Sequence, residues 1–246
     1  MKKIFSIKES FIFGWRTTRA HSALIFKVVL TVFALQVAFE IVNKVLVPSA
    51  IGILAAALLM VFLIVAGFGA TIILLKLVRG TAAHYSDLLP PVKLTVRYVL
   101  ASMLTALVVL APLVVAGIVV AVGMVLLGAS FMTGVVASPY VSLPVLSLVV
   151  ALLLSMAATL AGYLLLRYSF MRFAVLDSHT VRGSLRESAR LVRGHTLPLL
   201  LFFIVVLVLN LLGVMLFLVG LLITVPVTTL AYAHVYQKLK EHIETK

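Results

Sequence analysis

The chain has no cysteine, a single tryptophan, and only seven Asp and Glu against twenty Lys and Arg in 246 residues. Without cysteine there is no disulfide framework, no thiolate nucleophile and no thiolate metal site, and the redox compartment is left open. So few carboxylates, most of them in loops or near the termini, give paired-carboxylate acid–base chemistry little to work with. Neither a P-loop nor a glycine-rich dinucleotide fingerprint occurs, and no nucleophile–base–orienter set is legible. The chain therefore reads as non-enzymatic, with no cofactor. Charge of either sign is scarce: 11% of the residues are charged and 64% are hydrophobic, where an average soluble domain carries about 25% charged residues.

What is present is long apolar runs. A run of about 18 or more apolar residues is long enough to cross a hydrocarbon core of about 30 Å, and six such spans are expected here. They lie near Ser22–Leu46, Ala50–Leu77, Tyr98–Leu127 (interrupted by Pro112), Val145–Leu166, Leu197–Val219 and Leu221–Gln237 (with Pro226 inside). The fold class is all-α: a polytopic helical bundle in one integral membrane domain, residues 1–246. The last two segments leave open two full spans or a re-entrant hairpin. The basic opening "MKKIFSIKESFIFGW" has no apolar h-region and reads as mature protein, not as a signal peptide.

The cations then set the expected topology. Nineteen of the twenty Lys and Arg fall on one side of these spans and only Lys44 falls opposite. The positive-inside rule accordingly puts both termini in the cytoplasm of a multi-pass inner (plasma) membrane protein. The net charge of +13 would suggest nucleic acid in a soluble domain. At the ends of apolar runs it points instead to anionic lipid headgroups, so no nucleic-acid partner is expected.

One phrase is written twice, each time before a span: "SIKESFIFGWRTTRAH" at Ser6–His21 and "SLRESARLVRGH" at Ser184–His195. Ser6 with Glu9, and Ser184 with Glu187, both fit a capping box. In the first stretch Ile4, Ile7, Phe11 and Trp15 form an apolar stripe beside Lys8, Arg16 and Arg19. In the second, Val181, Leu185, Ala189 and Val192 run beside Arg182, Arg186, Arg190 and Arg193. Such helices lie in the interface plane with the apolar side toward acyl chains. A less regular third copy, "HYSDLLPPVKLTVRY", would divide the chain into three units, 1–79, 80–166 and 167–246, and give two or three interfacial helices in all.

Several stretches together carry a family likeness: "GW" in the first amphipathic segment, "LVRGTAAHYSDLL", "RYSFMRFAVLDSHTVRGSLRESARLVRGH" and "LNLLGVMLFLVGLLITVPVTTLAYAHVYQKL". Their order resembles bacterial membrane proteins grouped with the glycerophosphodiester phosphodiesterase membrane domain and related uncharacterised six-helix families. The resemblance spans nearly the whole chain, most specifically Arg167–Leu239. In some of those proteins the membrane domain precedes a catalytic barrel. These 246 residues hold no such barrel, so the resemblance implies a fold and no phosphodiesterase activity.

Candidate sites are few. His21, His84, His179, His195, His234 and His242 lack the spacing of a metal site and read as solvated interfacial residues, so no metal is expected. Glu40 and Lys44, at i and i+4, read as an ion pair near the outer surface. Asn210, near mid-bilayer, marks an interhelical hydrogen bond or a substrate contact. Ala151, Ser155, Ala158, Thr159 and Gly162 read as a close-packing stripe, as do Gly67 and Gly69. Asp177 is a partner for Arg172 or Arg182. The functional expectation is contact with, or organisation of, anionic membrane lipid, or scaffolding of a membrane-protein partner, through Lys8, Arg16, Arg19, Arg182, Arg186, Arg190 and Arg193. The alternative is a small-solute or lipid transporter using Asn210, Ser155, Thr159 and the Pro-interrupted helices. Oligomeric state is not legible.

Overall fold

The computed structural model describes residues 5–46, 49–132, 143–178, 180–216 and 220–245. Lys2, Lys3, Ile4, His179 and Lys246 lie outside them. Among the described residues there is no strand, and the helices are α1 (Ile7–Ala20), α2 (Ser22–Val45), α3 (Ala50–Val78), α4 (Val92–Met132), α5 (Leu143–Arg167), α6 (Met171–Asp177), α7 (Val181–Val192), α8 (Thr196–Met215) and α9 (Leu221–Glu244), with a 3₁₀ turn at Tyr85–Leu88. This is the all-α membrane bundle that the apolar runs imply.

Five segments are long and apolar enough to cross a membrane: α2, α3, α4 over Val92–Val125, the segment Leu146–Asp177 that begins in α5, and α8. α9 falls short of that test because its apolar stretch stops at Tyr236 and Gln237, Lys238, Lys240, Glu241 and Glu244 follow within the same helix. Pro112 and Pro226 both sit inside continuous helices. Proline removes one helical hydrogen bond, and in apolar surroundings neighbouring groups can make up the loss.

The apolar shafts are mostly bare. Leu107, Met156, Leu165 and Leu207 are among many large side chains left exposed along them, as expected where the surroundings are acyl chains and not water. The packed core sits at one end of the bundle. There Phe170 and Phe173 of the α6 region, Leu191 and Val192 of α7, Leu199 and Phe202 of α8, and Val235, Tyr236 and Leu239 of α9 form one buried cluster with Leu75 of α3. Aromatic contacts knit it: Phe170 stacks on Tyr232 at 5.0 Å and Phe11 of α1 on Phe202 at 5.4 Å between ring centroids.

Two helices stop at this end with the same four letters. Leu77-Val78-Arg79-Gly80 ends α3 and Leu191-Val192-Arg193-Gly194 ends α7, and both glycines take positive φ, 67° and 84°. Only glycine adopts that backbone without steric cost, so each helix stops there with its arginine at the rim.

The amphipathic helices α1 and α7 dock on protein. Phe11 and Ile7 of α1 pack against the core cluster, and a Cβ on Gly14 would collide with the carbonyl oxygen of Val227 in α9. Trp15 and Ile12 stay exposed. Leu191 and Val192 of α7 are buried, while Val181 and Leu185 pack against Phe68, Ala101, Met171 and Val175. The expected third copy forms no amphipathic helix. Pro90 and Pro91 interrupt it, the 3₁₀ turn precedes them, and Lys93 and Arg97 fall on the first turns of α4.

The capping expectations divide. Ser6 caps α1, accepting the Glu9 N–H at 3.4 Å. Ser184 caps nothing: α7 starts a turn earlier, where Thr180 accepts the Gly183 N–H at 3.0 Å, and Ser184 lies buried inside the helix donating to the Val181 carbonyl. The Thr-x-x-Gly start supplies a cap before the serine is reached.

The small-residue stripe on α5 is also corrected. Ala151, Ser155, Ala158, Thr159 and Gly162 are exposed, nothing lies within 4 Å of a Cβ placed on Gly162, and the buried small residues of that helix are Ala157 and Ala161. Gly69 does permit close packing, since a Cβ there would strike the Leu88 carbonyl, whereas Gly67 faces open space. Glu40 and Lys44 are both exposed, and among the described residues they form no ion pair.

Candidate functional site

The chemistry-bearing side chains gather at the packed end, and they separate into paired and unpaired cations. Asp177 closes α6 and collects three donors: the Arg79 guanidinium, with Nη2 at 2.8 and 2.6 Å from its two oxygens; Lys240 Nζ at 2.6 Å; and the Tyr236 hydroxyl at 2.7 Å. Tyr236 and Lys240 reach it together because they are four residues apart on one face of α9. This one carboxylate ties α3, α6 and α9 together. The partners expected from sequence, Arg172 and Arg182, are not the ones it takes.

Glu187 of α7 stands at the edge of the same cluster, 3.9 Å from Lys240 and 3.4 Å from the Tyr236 hydroxyl. Its carboxyl is raised above the ordinary value, by burial first, with Lys240 acting the other way and Asp177 adding to the rise. Arg97 of α4 donates to the Ser178 carbonyl at 3.1 Å and fastens the α6–α7 connection to α4. Asp87 accepts from Lys76 at 2.7 Å and from the His84 backbone N–H at 2.9 Å, which pins the 3₁₀ turn onto α3; these bonds hold its carboxyl low. Lys238 pairs with Glu241 at 3.1 Å along α9. The paired cations among the described residues are thus Lys76, Arg79, Lys238 and Lys240.

Lys8, Arg16 and Arg19 on α1, Arg182, Arg186 and Arg190 on α7, and Arg193 just past its end are all exposed, and among the described residues none has an acid within ion-pair distance. Both sets lie on helices docked to the α8–α9 region, so the structure brings the two sequence-distant groups to the same end. Arg186 and Arg190 also border a crevice of about 290 Å³ between α7 and α9, which Lys240, Glu187 and Glu244 share. Planar guanidinium groups without counter-ions suit phosphate oxygens, which they bind through paired N–H donors.

Of the other expected set, Asn210, Ser155 and Thr159, Asn210 makes no hydrogen bond to either hydroxyl among the described residues. Asn210 is half-buried, and its enclosed side-chain oxygen has no hydrogen-bond partner among the described residues. Ser155 and Thr159 are exposed and donate to carbonyls of their own helix. Among the histidines, His234 stacks on Phe13 at 4.4 Å and approaches the Ser10 hydroxyl at 3.3 Å, while His195 and His242 meet edge to face at 6.5 Å. No three His, Asp or Glu among the described residues converge as a metal site.

Sequence reasoning missed Arg79, Tyr236 and Lys240. The usable signal was that a carboxylate in a cation-rich segment, next to an apolar helix that has to pack, must find donors on neighbouring elements.

Residues 6–241 match the family described as Domain of unknown function (DUF7847), and the chain belongs to that family. The match gives no link to the glycerophosphodiester phosphodiesterase membrane domain. No curated protein and no solved structure matches the chain.

Proposed function

We propose that this is a non-enzymatic, multi-pass inner-membrane protein whose basic end faces the cytoplasm and contacts anionic lipid headgroups, organising lipid or holding a membrane partner there. The observation that carries the reading is the division of the cations. Asp87, Asp177, Glu187, Glu241 and Glu244 are engaged by Lys76, Arg79, Lys238 and Lys240, while among the described residues Lys8, Arg16, Arg19, Arg182, Arg186, Arg190 and Arg193 are exposed and form no ion pair. A Lys or Arg beside an anionic leaflet contributes about 1 kcal/mol, and the contributions accumulate over a cluster.

The test is quantitative mass spectrometry of lipid retained by purified protein. Wild type is compared with a variant carrying Gln at Arg182, Arg186, Arg190 and Arg193. Enrichment of an anionic phospholipid in wild type and its loss in the variant supports the reading; equal, unselective lipid in both overturns it. Because the four side chains are exposed and unpaired, the variant should keep wild-type thermal stability, so a change in lipid is not a change in fold.

A further inference from the structure

The basic end leaves unused a cleft of about 780 Å³ between α4, α5, α8 and α9. Its lining changes character with depth. At the charged end stand Tyr98, Tyr168, Ser169 and Arg172, and toward the bundle middle Val109, Leu110 and Gly162. At 1.5 Å per residue, Tyr98 to Val109 covers about 17 Å along α4. Ser102 and Thr105 lie on this wall too, but their hydroxyls donate at 2.8 Å to the carbonyls of Tyr98 and Ala101 in their own helix, which leaves the depth of the cleft apolar in effect. Gly162, Leu165 and Leu110 are exposed, so the cleft opens sideways between helices, where acyl chains lie.

Two groups at the mouth have capacity to spare. Arg172 is exposed and has no acid within ion-pair distance among the described residues, its expected partner Asp177 being held by Arg79 and Lys240. The Ser169 hydroxyl oxygen is buried, and its interaction with Tyr232 falls short of good hydrogen-bond geometry, so it can still make a bond. A cation and a buried hydroxyl with a bond to spare at one end of an apolar, laterally open channel are complementary to an anionic amphiphile. A soluble anion would leave the apolar walls uncovered, and a neutral lipid would leave the cation unmatched.

We propose that this cleft seats one anionic phospholipid, its phosphate on Arg172 and Ser169 and one acyl chain along Val109, Leu110 and Gly162. The site is separate from the basic residues of α1 and α7 and does not depend on them.

The experiment uses the full chain in phosphatidylcholine nanodiscs containing increasing amounts of dibrominated phosphatidylglycerol, a quencher of tryptophan. Trp15→Phe with Phe203→Trp puts the only tryptophan on the cleft wall; Trp15→Phe with Leu207→Trp, on an exposed stretch of α8 outside the cleft and away from the basic helices, reports bulk lipid. Quenching at position 203 should saturate at a mole fraction about tenfold below that needed at position 207, the mark of a site favoured over bulk. Arg172→Gln should return the curve to the bulk one. Gly162→Phe, introduced where a Cβ meets open space, should abolish the early saturation by filling the cleft. If Phe203→Trp does not fold, Thr105→Trp reads the same wall. A curve that follows bulk lipid, saturation with dibrominated phosphatidylcholine as readily as with phosphatidylglycerol, or indifference to Gly162→Phe would each overturn the proposal. Loss of lipid in the α7 arginine variant leaves this result unchanged, so the two readings fail separately.

Discussion

α1 and α7 share a phrase, Ser-Ile-Lys-Glu-Ser from Ser6 and Ser-Leu-Arg-Glu-Ser from Ser184, and are held to the bundle by different means. Ser10 and Ser188, at matching places in the repeated phrase, are both fully buried. Ser10 donates to the Ser6 carbonyl inside its own helix at 3.0 Å and makes only a longer contact across to His234 Nδ1 of α9, at 3.3 Å, whereas Ser188 donates to the Arg167 carbonyl at the end of α5 at 3.1 Å. α1 is attached by close backbone approach at Gly14 and by Phe11 and Phe13 against α8 and α9. α7 is attached by buried Leu191 and Val192 and by a polar neighbourhood centred on Asp177. The shared phrase therefore encodes a helix with one small hydroxyl face turned inward and a basic face turned outward. What seats the inward face depends on residues outside the phrase.

The most damaging single changes should uncouple the two docks from each other. Asp177→Ala leaves Arg79 and Lys240 side by side without their carboxylate, and breaking a largely buried pair costs about 3–5 kcal/mol. Gly14→Leu forces a side chain against the Val227 carbonyl of α9, a backbone group that cannot step aside; overpacking of this kind costs about 3 kcal/mol. Limited trypsin digestion in detergent reads both, because cleavage of a helix requires local opening. Asp177→Ala should speed cutting at Arg186 and Arg190 and leave Arg16 and Arg19 slow, and Gly14→Leu should do the reverse. Uniform acceleration at all four sites in both variants would mean that the two helices open as one unit.

A smaller effect separates the two serines. Ser188→Ala strips the partner from a carbonyl at the C-terminus of α5, at a cost of about 1–2 kcal/mol. After Ser10→Ala the Ser6 carbonyl still accepts the Ser10 backbone N–H at 3.0 Å and only the long contact with His234 Nδ1 is given up, so the loss should be about 0.5–1 kcal/mol. Thermal unfolding of the two variants should rank them in that order, and equal shifts would show that burial alone, and not the hydrogen bond, sets the cost.

The helices were legible because apolar length is a strong one-dimensional signal: α2, α3, α5 and α8 begin and end within a few residues of the expected spans. The basic stripes were legible for the same reason, being periodic within single helices. Contacts between elements were not. Asp177 lies nearer in sequence to Arg172 and Arg182 than to Arg79 or Lys240, yet α6 ends where α3 and α9 converge, and that convergence is written in no single segment. Ser184 read as a cap because Ser-x-x-Glu fits the motif, and the competing Thr180 start lay outside the repeated phrase. The α5 stripe was misread because small residues permit close packing without demanding it; the helix turns Ala157 and Ala161 inward and leaves Ser155 and Thr159 outside.

The finest test of the comparison is titration of Glu187, which stands on α7 at the edge of the Asp177 cluster. Glu187 is held above the ordinary 4.5. Over the interval from 4.5 up to its raised pKa the folded chain binds more protons than the unfolded one, so stability declines as the pH rises through that interval. Glu187→Gln removes the titrating group while keeping its size and its capacity to accept a bond from Tyr236. The melting temperature of this variant relative to wild type should therefore climb between pH 4.5 and neutrality and then level off. A difference that stays flat over that range would mean that water and Lys240 solvate the Glu187 carboxylate fully, and that α7, like α1, presents no strained charge to the bundle.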